Sequence, residues 1–293
     1  MTIFILSVNE HIHSTSRIYE EAKKRGHNVK VINPTQCSVK LSNNKRGIFY
    51  NGRNISKGAD AIIPRIGNTT TDCGTSIVKE FEYNNTYSTS SAEGIILSQN
   101  KVQSLQLLSK NKIPIPDTIF SVNPEDITTQ INLLGGAPII IKLHEGTQGK
   151  GVMLADSNQS AKSIIDTMYA MNKRILLQEF IKESKSQDIR AFVIGNKIVA
   201  RMKRTGVKND FRSNIHLGGK GSIVKLSKQE EAIAISAAQL LNLPVAGVDL
   251  IRAKRGSLIL EVNSTPGLQG IEEYTKVNVA KEIIKHIEKH VLK

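Results

Sequence analysis

The chain has 293 residues, of which 39% are hydrophobic. This length accommodates two domains, or one domain with a large subdomain, and the hydrophobic content supports a packed core. The longest apolar runs, such as residues 3–6 and 139–141, exclude a membrane span and the hydrophobic region of a signal peptide, so we expect a soluble cytoplasmic protein. The two cysteines, Cys37 and Cys73, lack the spacing of a zinc site or a disulfide framework.

Basic residues outnumber acidic residues by 40 to 26, which gives a formal net charge of +14. A surface with this excess attracts polyanions, but composition does not choose among nucleic acids, acidic peptides and anionic membranes. The bias is strongest over residues 200–225, where seven basic residues are opposed only by Asp210. We expect part of this segment to face an anionic ligand, and the alternative is a solvated loop.

The first hundred residues alternate between strand and helix patterns. In chain order, the patterns are a strand at 3–8, a helix at 16–24, strands at 29–32 and 59–66, and a helix at 75–83. This order predicts a small α/β domain with a mostly parallel sheet. A helix over residues 100–110 leads into residues 113–116, whose two prolines end it and mark the domain boundary.

The rest of the chain mixes shorter strands and helices. Strands are predicted at 119–122, 138–143, 152–155 and 175–181, and helices at 124–134 and 158–171. Residues 188–193 and 197–202 form a hairpin turned by Gly195 and Asn196. Ser227 and Glu230 form a capping box for the next helix. A last amphipathic helix covers residues 278–292.

Two carboxylates and an amide lie in otherwise apolar strand patterns near the end of the chain. If the hairpin is symmetric about Arg255, Asp249 stands opposite Glu261 with Cβ atoms roughly 4.5–5.5 Å apart. Asn263 then shares the face of Glu261. Two like charges in apolar surroundings repel, so a compensating cation is expected, and oxygen-only ligands favour Mg²⁺ or Mn²⁺. The alternative is a solvent-facing hairpin with incidental acids.

A glycine-rich segment at residues 145–151 joins two of the predicted strands. Backbone N–H groups without side chains approach phosphate oxygens closely. The segment is not a P-loop, because Lys150 is followed by Gly151 and a strand. Lys142 lies in an isoleucine-rich strand, where an ammonium is costly unless a phosphate accepts it. The alternatives are a plain β-hairpin and a lysine that snorkels from a strand end.

Together these motifs resemble the ATP-grasp superfamily, and specifically its RimK-like branch of glutamate ligases, over essentially the whole chain. The motifs that carry the resemblance are Pro64-Arg65-Ile66-Gly67, Lys101 with Gln106-Leu107-Leu108, Gly135-Gly136-Ala137-Pro138, Lys142 with Glu145-Gly146-Thr147-Gln148-Gly149, Gln178-Glu179-Phe180-Ile181-Lys182-Glu183, Asp188-Ile189-Arg190, Asp210-Phe211-Arg212-Ser213-Asn214, Ala246-Gly247-Val248-Asp249 and Glu261-Val262-Asn263-Ser264-Thr265-Pro266-Gly267-Leu268.

The resemblance implies an α/β fold of the ATP-grasp type, in which a small N-terminal domain precedes two α+β subdomains with the nucleotide between them. The expected units are residues 1–98, an N-terminal domain; residues 99–182, a lid subdomain with the glycine loop; and residues 183–293, a subdomain with the metal site.

The resemblance also implies site residues. The ATP-binding positions are Lys101, Lys142, Gly146, Gln148, Gly149, Gly151, Glu179, Phe180, Asp188, Arg212, Ser213 and Asn214. The positions that meet the transferred phosphate and the acyl group are Arg190, Arg212, Ser213 and Asn214, and we take Arg190, Arg212 and Asn214 as catalytic. The positions that hold two Mg²⁺ or Mn²⁺ ions are Asp249, Glu261 and Asn263. Alternatives stay open, because Glu179 and Asp188 would also fit as surface acids and Arg190 as a structural ion pair.

The implied reaction needs no enzyme nucleophile. A carboxylate attacks the γ-phosphate of ATP, and an amine then attacks the acyl phosphate to form an amide, which agrees with the scattered histidines. In the RimK-like branch, glutamate is added to the C-terminus of a ribosomal protein or joined into short α-linked chains. The expected partners are ATP, glutamate or a similar amino acid, an acidic peptide or ribosomal protein C-terminus, and a second copy of the chain. Membranes and direct nucleic-acid contacts are not expected.

One departure from the RimK-like pattern is Leu217, which stands where that pattern has arginine and leaves the acceptor preference open. His216 beside it is the histidine to test.

Two other functions are kept: a related ATP-grasp ligase that joins an amino acid to a carrier protein or cofactor, and a basic RNA-binding protein with a vestigial nucleotide site. Against the second, the chain has no Trp and few aromatic residues for base stacking.

Overall fold

The structure is a computed structural model that describes residues 1–43, 46–121, 126–144, 151–208 and 210–292. Its strands are β1 (Thr2–Leu6), β2 (Asn28–Ile32), β3 (Cys37–Lys40), β4 (Gly47–Tyr50), β5 (Arg53–Asn54), β6 (Ala61–Pro64), β7 (Tyr87–Ser88), β8 (Thr118–Ser121), β9 (Ile139–Leu143), β10 (Val152–Ala155), β11 (Ile175–Glu179), β12 (Gln187–Ile194), β13 (Lys197–Thr205), β14 (Lys220–Ile223), β15 (Val245–Ala253) and β16 (Gly256–Asn263). Its α-helices are α1 (His13–Lys24), α2 (Thr71–Tyr83), α3 (Ala92–Gln99), α4 (Lys101–Lys110), α5 (Ile127–Leu133), α6 (Asn158–Ala170), α7 (Lys228–Leu240), α8 (Gln269–Thr275) and α9 (Val279–Val291).

The N-terminal sheet is parallel and has the strand order β2-β1-β6-β7. Ile3, Phe4, Ile5 and Leu6 of β1 are all buried, as expected for a central strand covered on both faces. The predicted parallel sheet is therefore confirmed. A small antiparallel sheet, β3-β4-β5, was not predicted, because its strands are short and only partly buried.

The central sheet is antiparallel, with the order β10-β9-β11-β8. Isoleucines of β9 pack with those of α5 and α6 in a cluster drawn entirely from residues 119–177. This part of the chain therefore has its own core, as an independent lid subdomain would need.

The C-terminal sheet has the order β14-β13-β12-β15-β16 and is also antiparallel. One face packs on the alanine-rich side of α7. The other face packs on α9 in a cluster that also contains Ile3 and Ile5 of β1. The first and last predicted units thus share one hydrophobic core, which fixes the N-terminal sheet against the C-terminal sheet.

Most of the predicted local signals hold. The hairpin at Gly195 and Asn196 and the capping box of Ser227 with Glu230 are both present. The helix predicted from residue 100 begins at Lys101 because the Asn100 side chain caps it. Among the described residues, no helix has the length and apolar character needed to cross a bilayer.

Candidate active site

The β15–β16 hairpin places Asp249 opposite Glu261, as predicted, but the assumed symmetry about Arg255 is wrong. The pair next to the turn is Ala253 with Gly256, so the turn consists of two residues and its centre precedes Arg255. A shift in register between Asp249 and Leu250 then restores the predicted pairing of the two acids. The bulge adds one residue to β16, which offsets the one-residue error at the turn.

Asp249 is buried and is bound by two arginines, one from the adjacent strand β12 and one from β13, which lies beyond it. Arg190 of β12 donates from Nε and Nη2 to its two oxygens, each over 2.7 Å, and Arg204 of β13 donates from Nη2 over 2.7 Å. Burial alone would raise the pKa of Asp249, but the two guanidinium groups outweigh it and hold the pKa well below its ordinary value. Arginine thus supplies the compensating charge expected at this acid, and the ion-pair alternative for Arg190 is present.

Arg204 also binds Asp188, over 2.6 and 2.7 Å, so it bridges two buried carboxylates. Burial alone would lower the pKa of Arg204, and Asp249 and Asp188 together raise it above its ordinary value. Asp188 is therefore not the ordinary surface acid that the sequence allowed. Its contact with a ribose stays a prediction, because both of its oxygens are used by Arg204 here.

Glu261 and Asn263 lie side by side on one face of β16. The Glu261 side chain is half exposed, and Asn263 Nδ2 donates to its Oε1 over 3.1 Å. Mg²⁺ in phosphate-transfer sites takes one or two carboxylates together with substrate phosphates and water. An accessible carboxylate next to an amide fits that donor set. Ligation by Asp249 would compete with the two arginines that bind it.

The predicted phosphate lysines face these acids from the central sheet and from α4. Lys142 lies in β9, where burial lowers its pKa. Glu261 and Asp249 act in the opposite direction, and the positive charge of Lys101 adds to the lowering. Lys101 Nζ donates to the backbone oxygen of His144, just after β9, over 2.9 Å. Lys142 therefore lies close enough to Lys101, Glu261 and Asp249, all far away in sequence, for their charges to act on it.

Of the predicted glycine loop, only Gly151 belongs to the described residues. Gly146, Gln148 and Gly149 lie outside the described residues. Gly151 is described and has a φ of +76°. A Cβ atom there would lie 2.6 Å from Leu143 Cδ1, so both conformation and space favour glycine at the start of β10.

Glu179, predicted at the adenine edge, is bound by a residue of the β15–β16 turn. Arg255, in the β15–β16 turn, donates from Nη1 to Glu179 Oε2 over 2.9 Å and from Nη2 to Oε1. This pair holds the pKa of Glu179 below its ordinary value. Glu179 Oε1 also accepts from the backbone N–H of Asp117. Phe180 follows directly, half-buried, at the end of β11.

The basic segment over residues 200–225 is divided between internal ion pairs and exposed lysines. Arg201 pairs with Glu231, and Arg212 with Asp210 over 2.9 Å. Ser213 is buried and Asn214 half-buried beside this pair. Together with Arg204, three of the seven basic residues are thus committed to acids. The lysines of the segment, by contrast, are half-buried or exposed: Lys203, Lys208, Lys220 and Lys225. The side chain of His216 lies outside the described part.

Arg204 and Arg255 are the residues that we had not singled out in the sequence. A signal for Arg204 was available, because Ala200, Met202 and Arg204 share one buried face of β13. A buried arginine on that face requires acidic partners. No comparable local signal distinguishes Arg255 from an ordinary turn residue.

Comparison with known proteins agrees with this geometry. The family model described as the RimK-like ATP-grasp domain matches residues 98–287, and that of the RimK pre-ATP-grasp domain matches residues 1–95. The chain belongs to the RimK-like ATP-grasp family. The resemblance drawn from the motifs, and the α/β ATP-grasp fold that it implied, are confirmed.

Relatives within this family align over nearly the whole chain. A probable alpha-L-glutamate ligase of Legionella pneumophila (strain Corby) is 49% identical over 289 residues, covering 99% of this chain and 96% of its own. One of the same name from Coxiella burnetii (strain Dugway 5J108-111) is 49% identical over 290 residues, with the same coverage. The structure of the ATP-grasp ligase PsnB complexed with a minimal precursor has a TM-score of 0.78 at 18% identity and covers 98% of both chains, which shows the shared fold.

This RimK-like chain is therefore an ATP-dependent ligase that forms amides. The vestigial-site alternative is set aside, since the crevice keeps its lysines and acids.

Proposed function

We propose that this RimK-like ligase joins the amine of glutamate to a carboxylate of an acidic peptide or protein C-terminus, with ATP and two Mg²⁺ or Mn²⁺ ions. The observation that carries the proposal is the position of Lys142, which lies close enough to Lys101 and to the acids Glu261 and Asp249 for their charges to act on it. Lysines for phosphates and acids for cations are the equipment that phosphoryl transfer to a carboxylate requires. The names of relatives at 49% identity support glutamate as the amino acid.

The reaction proceeds in two displacements. An oxygen of the acceptor carboxylate forms a bond to the γ-phosphorus of ATP, and the bridging oxygen leaves with ADP. The glutamate nitrogen then attacks the acyl carbon, phosphate leaves, and the nitrogen loses a proton. Lys101 and Lys142 balance the phosphate charge in the first step, and the crevice limits hydrolysis of the acyl phosphate.

Glu261 and Asn263 would hold the divalent cations, with Asp249 as the third position. When bound there, such ions would neutralise charge on the phosphates of ATP. Arg190 would meet the transferred phosphate from its place beside Asp249, and its Nη2 lies 4.0 Å from Glu261 Oε1. Arg212 and Asn214 would contact the acyl group. Glu179 and Phe180 would hold the adenine edge, and the segment over residues 145–151 would close over the phosphates.

An acidic acceptor is supported by the charge of the segment over residues 200–225. Once the internal ion pairs are formed, its excess positive charge is carried by lysines. Each glutamate that is added leaves another carboxylate for these lysines to attract.

The test uses purified protein with ATP, Mg²⁺, glutamate and a pool of peptides that end in acidic or neutral residues. We expect ADP release that requires both glutamate and an acidic peptide, and products heavier by whole glutamyl residues in mass spectrometry. ADP release with a different amino acid would contradict glutamate as the substrate. Modification of neutral peptides at an equal rate would contradict the acidic acceptor.

A further inference from the structure

Arg65 lies in the N-terminal domain at the position where an open parallel sheet binds ligands. It directly follows β6, and its backbone N–H donates to the carbonyl oxygen of Leu6, the last residue of β1, over 2.8 Å. The chain runs from β1 to β2 on one side of the sheet and then returns to β6 on the other side of β1. Ligands in such sheets bind outside the carboxyl ends of the strands at this reversal of order.

The guanidinium of Arg65 is held against the loop that follows the metal-binding strand. Its Nη2 donates to the backbone oxygen of Pro266 over 2.9 Å. In return, Thr265 Oγ1 donates to the backbone oxygen of Ile66 over 3.0 Å. These reciprocal bonds join two segments that lie about 200 residues apart in the chain. Arg65 is therefore fixed in place before any substrate arrives.

Further bonds from the N-terminal domain tie down the same loop. Ser98 Oγ donates to Ser264 Oγ over 3.0 Å, and the backbone N–H of Leu268 donates to Ser14 Oγ over 2.9 Å. The loop is thus anchored on both sides of Pro266. A loop anchored in this way positions a charged group more precisely than a mobile loop does.

The charge of Arg65 lacks a carboxylate counterpart in the described structure. Arg190, Arg204 and Arg212 each bind an acid, whereas no Asp or Glu oxygen among the described residues lies within 4.0 Å of an Arg65 nitrogen. Burial lowers the pKa of Arg65 to about 10, so it still carries its charge at neutral pH. A partly buried guanidinium with one carbonyl contact retains donors for an anionic ligand.

The loop that Arg65 contacts also lies near Arg190. A methyl group placed on Gly247 would lie 2.8 Å from Cβ of Pro266 and 3.7 Å from Nε of Arg190. Pro266 therefore packs over Gly247, beside the guanidinium that binds Asp249. Arg65, which binds the carbonyl of Pro266, and Arg190, which lies beside Gly247, are therefore both neighbours of this proline.

We propose that Arg65 binds a substrate carboxylate that does not react, and so selects for substrates that keep a free carboxylate after ligation. Glutamate has two such groups when its amine reacts, and an acidic acceptor residue has one in its side chain. The guanidinium fork matches a carboxylate in geometry as well as charge. The inference rests on the proposed function, because it names the chemistry that the ligase recognises.

The test compares wild type with Arg65→Met and Arg65→Lys, and with Arg53→Met as a matched loss of charge on the exposed strand β5 of the same domain. Steady-state kinetics are measured with glutamate, with its α-amide and with its γ-amide, on acceptors that end in glutamate or glutamine. For Arg65→Met we expect KM for one carboxylate-bearing substrate to rise about 10- to 100-fold. ADP affinity and Tm should remain near those of wild type, and Arg53→Met should behave as wild type.

The amides identify which carboxylate Arg65 binds. When the substrate lacks the carboxylate that Arg65 binds, KM should rise for wild type. For Arg65→Met the same amide should raise KM little further, since the two changes delete the same interaction. Arg65→Lys keeps the charge and should recover part of the loss. If acids and amides weaken equally in Arg65→Met, the residue is structural and the proposal fails. If wild type itself shows no glutamate-dependent ADP release, the proposed function fails instead, so the two failures appear in different proteins.

Discussion

Arg255, in the two-residue turn of the β15–β16 hairpin, donates two hydrogen bonds to the carboxylate of Glu179 at the end of β11. The backbone N–H of Lys254 in the same turn donates to Glu183 Oε1 over 2.8 Å. The strand pair that carries Asp249 and Glu261 is thus fastened by its turn to the predicted adenine edge. This contact holds the predicted metal-binding strands against the predicted nucleotide-binding strand β11.

Replacement of Arg255 by Met should weaken nucleotide binding more than it weakens the fold. The pair is partly exposed, so its loss should cost only about 0.2–1 kcal/mol of unfolding free energy. We expect the Kd for ADP, measured by calorimetry, to rise roughly 3- to 10-fold, or about 0.7–1.4 kcal/mol. Lys254→Met removes the same charge from the same turn and is the control. Equal ADP affinities in Arg255→Met and Lys254→Met would show that the Arg255–Glu179 pair does not contribute to nucleotide binding.

Replacement of Arg204 by Met should destabilise the protein strongly. The change leaves Asp188 without its arginine and Asp249 with Arg190 alone, and breaking a buried ion pair from one side costs about 3–5 kcal/mol. Denaturant unfolding measures this loss. The double variant Arg204→Met with Asp188→Asn should be less destabilised than the sum of the single changes, because the orphaned charge is gone. Strict additivity would contradict the coupling.

Glu261→Gln should lower the rate of ADP formation while leaving the stability of the fold nearly unchanged. The side chain is half exposed, so the unfolding free energy should change by less than about 0.5 kcal/mol. Loss of the charged ligand should lower Mg²⁺-dependent ADP formation by about 10²- to 10³-fold. Glu273→Gln, an exposed acid on α8, is the control and should keep wild-type rates. Activity of Glu261→Gln near that of wild type would contradict a cation-binding role.

Glu230 should make stability depend on pH in the acid range. Burial raises the pKa of this carboxyl, but hydrogen bonds from Arg252, Ser257 and the N–H of Ser227 outweigh that effect and lower the pKa to about 2. The folded state therefore holds the proton less tightly than the unfolded chain, whose pKa is about 4.3. The stabilisation is present above that value and is lost as pH falls towards 2.

The matching experiment is denaturant unfolding of wild type and Glu230→Gln between pH 7 and pH 2.5. Because Arg252 is half exposed, solvent screening limits the expected difference at pH 7 to about 1–2 kcal/mol. The difference should narrow steadily below about pH 4.5. A constant difference across this range would assign the effect to packing rather than to ionisation.

The sequence alone determined the parallel N-terminal sheet and the capping box at Ser227. Both follow from local patterns, namely buried apolar runs and cap residues. The pairing of Asp249 with Glu261 was predicted correctly only because the bulge in β16 offsets a one-residue error at the turn, and no local pattern in the sequence marks that bulge. Motif order, rather than any single residue, identified the family.

Tertiary structure decided which charges meet. Asp249 is neutralised by Arg190 and Arg204, which lie 59 and 45 residues away along the chain, and no local pattern predicts those partners. Arg65 meets Pro266 across 201 residues. Burial removes the solvent that would screen these groups, so their pairing is settled by where the sheets pack. The sequence therefore supplied the acids and cations of the site. The packing of the three larger sheets determined which of these groups bind each other and which carry charge for a substrate.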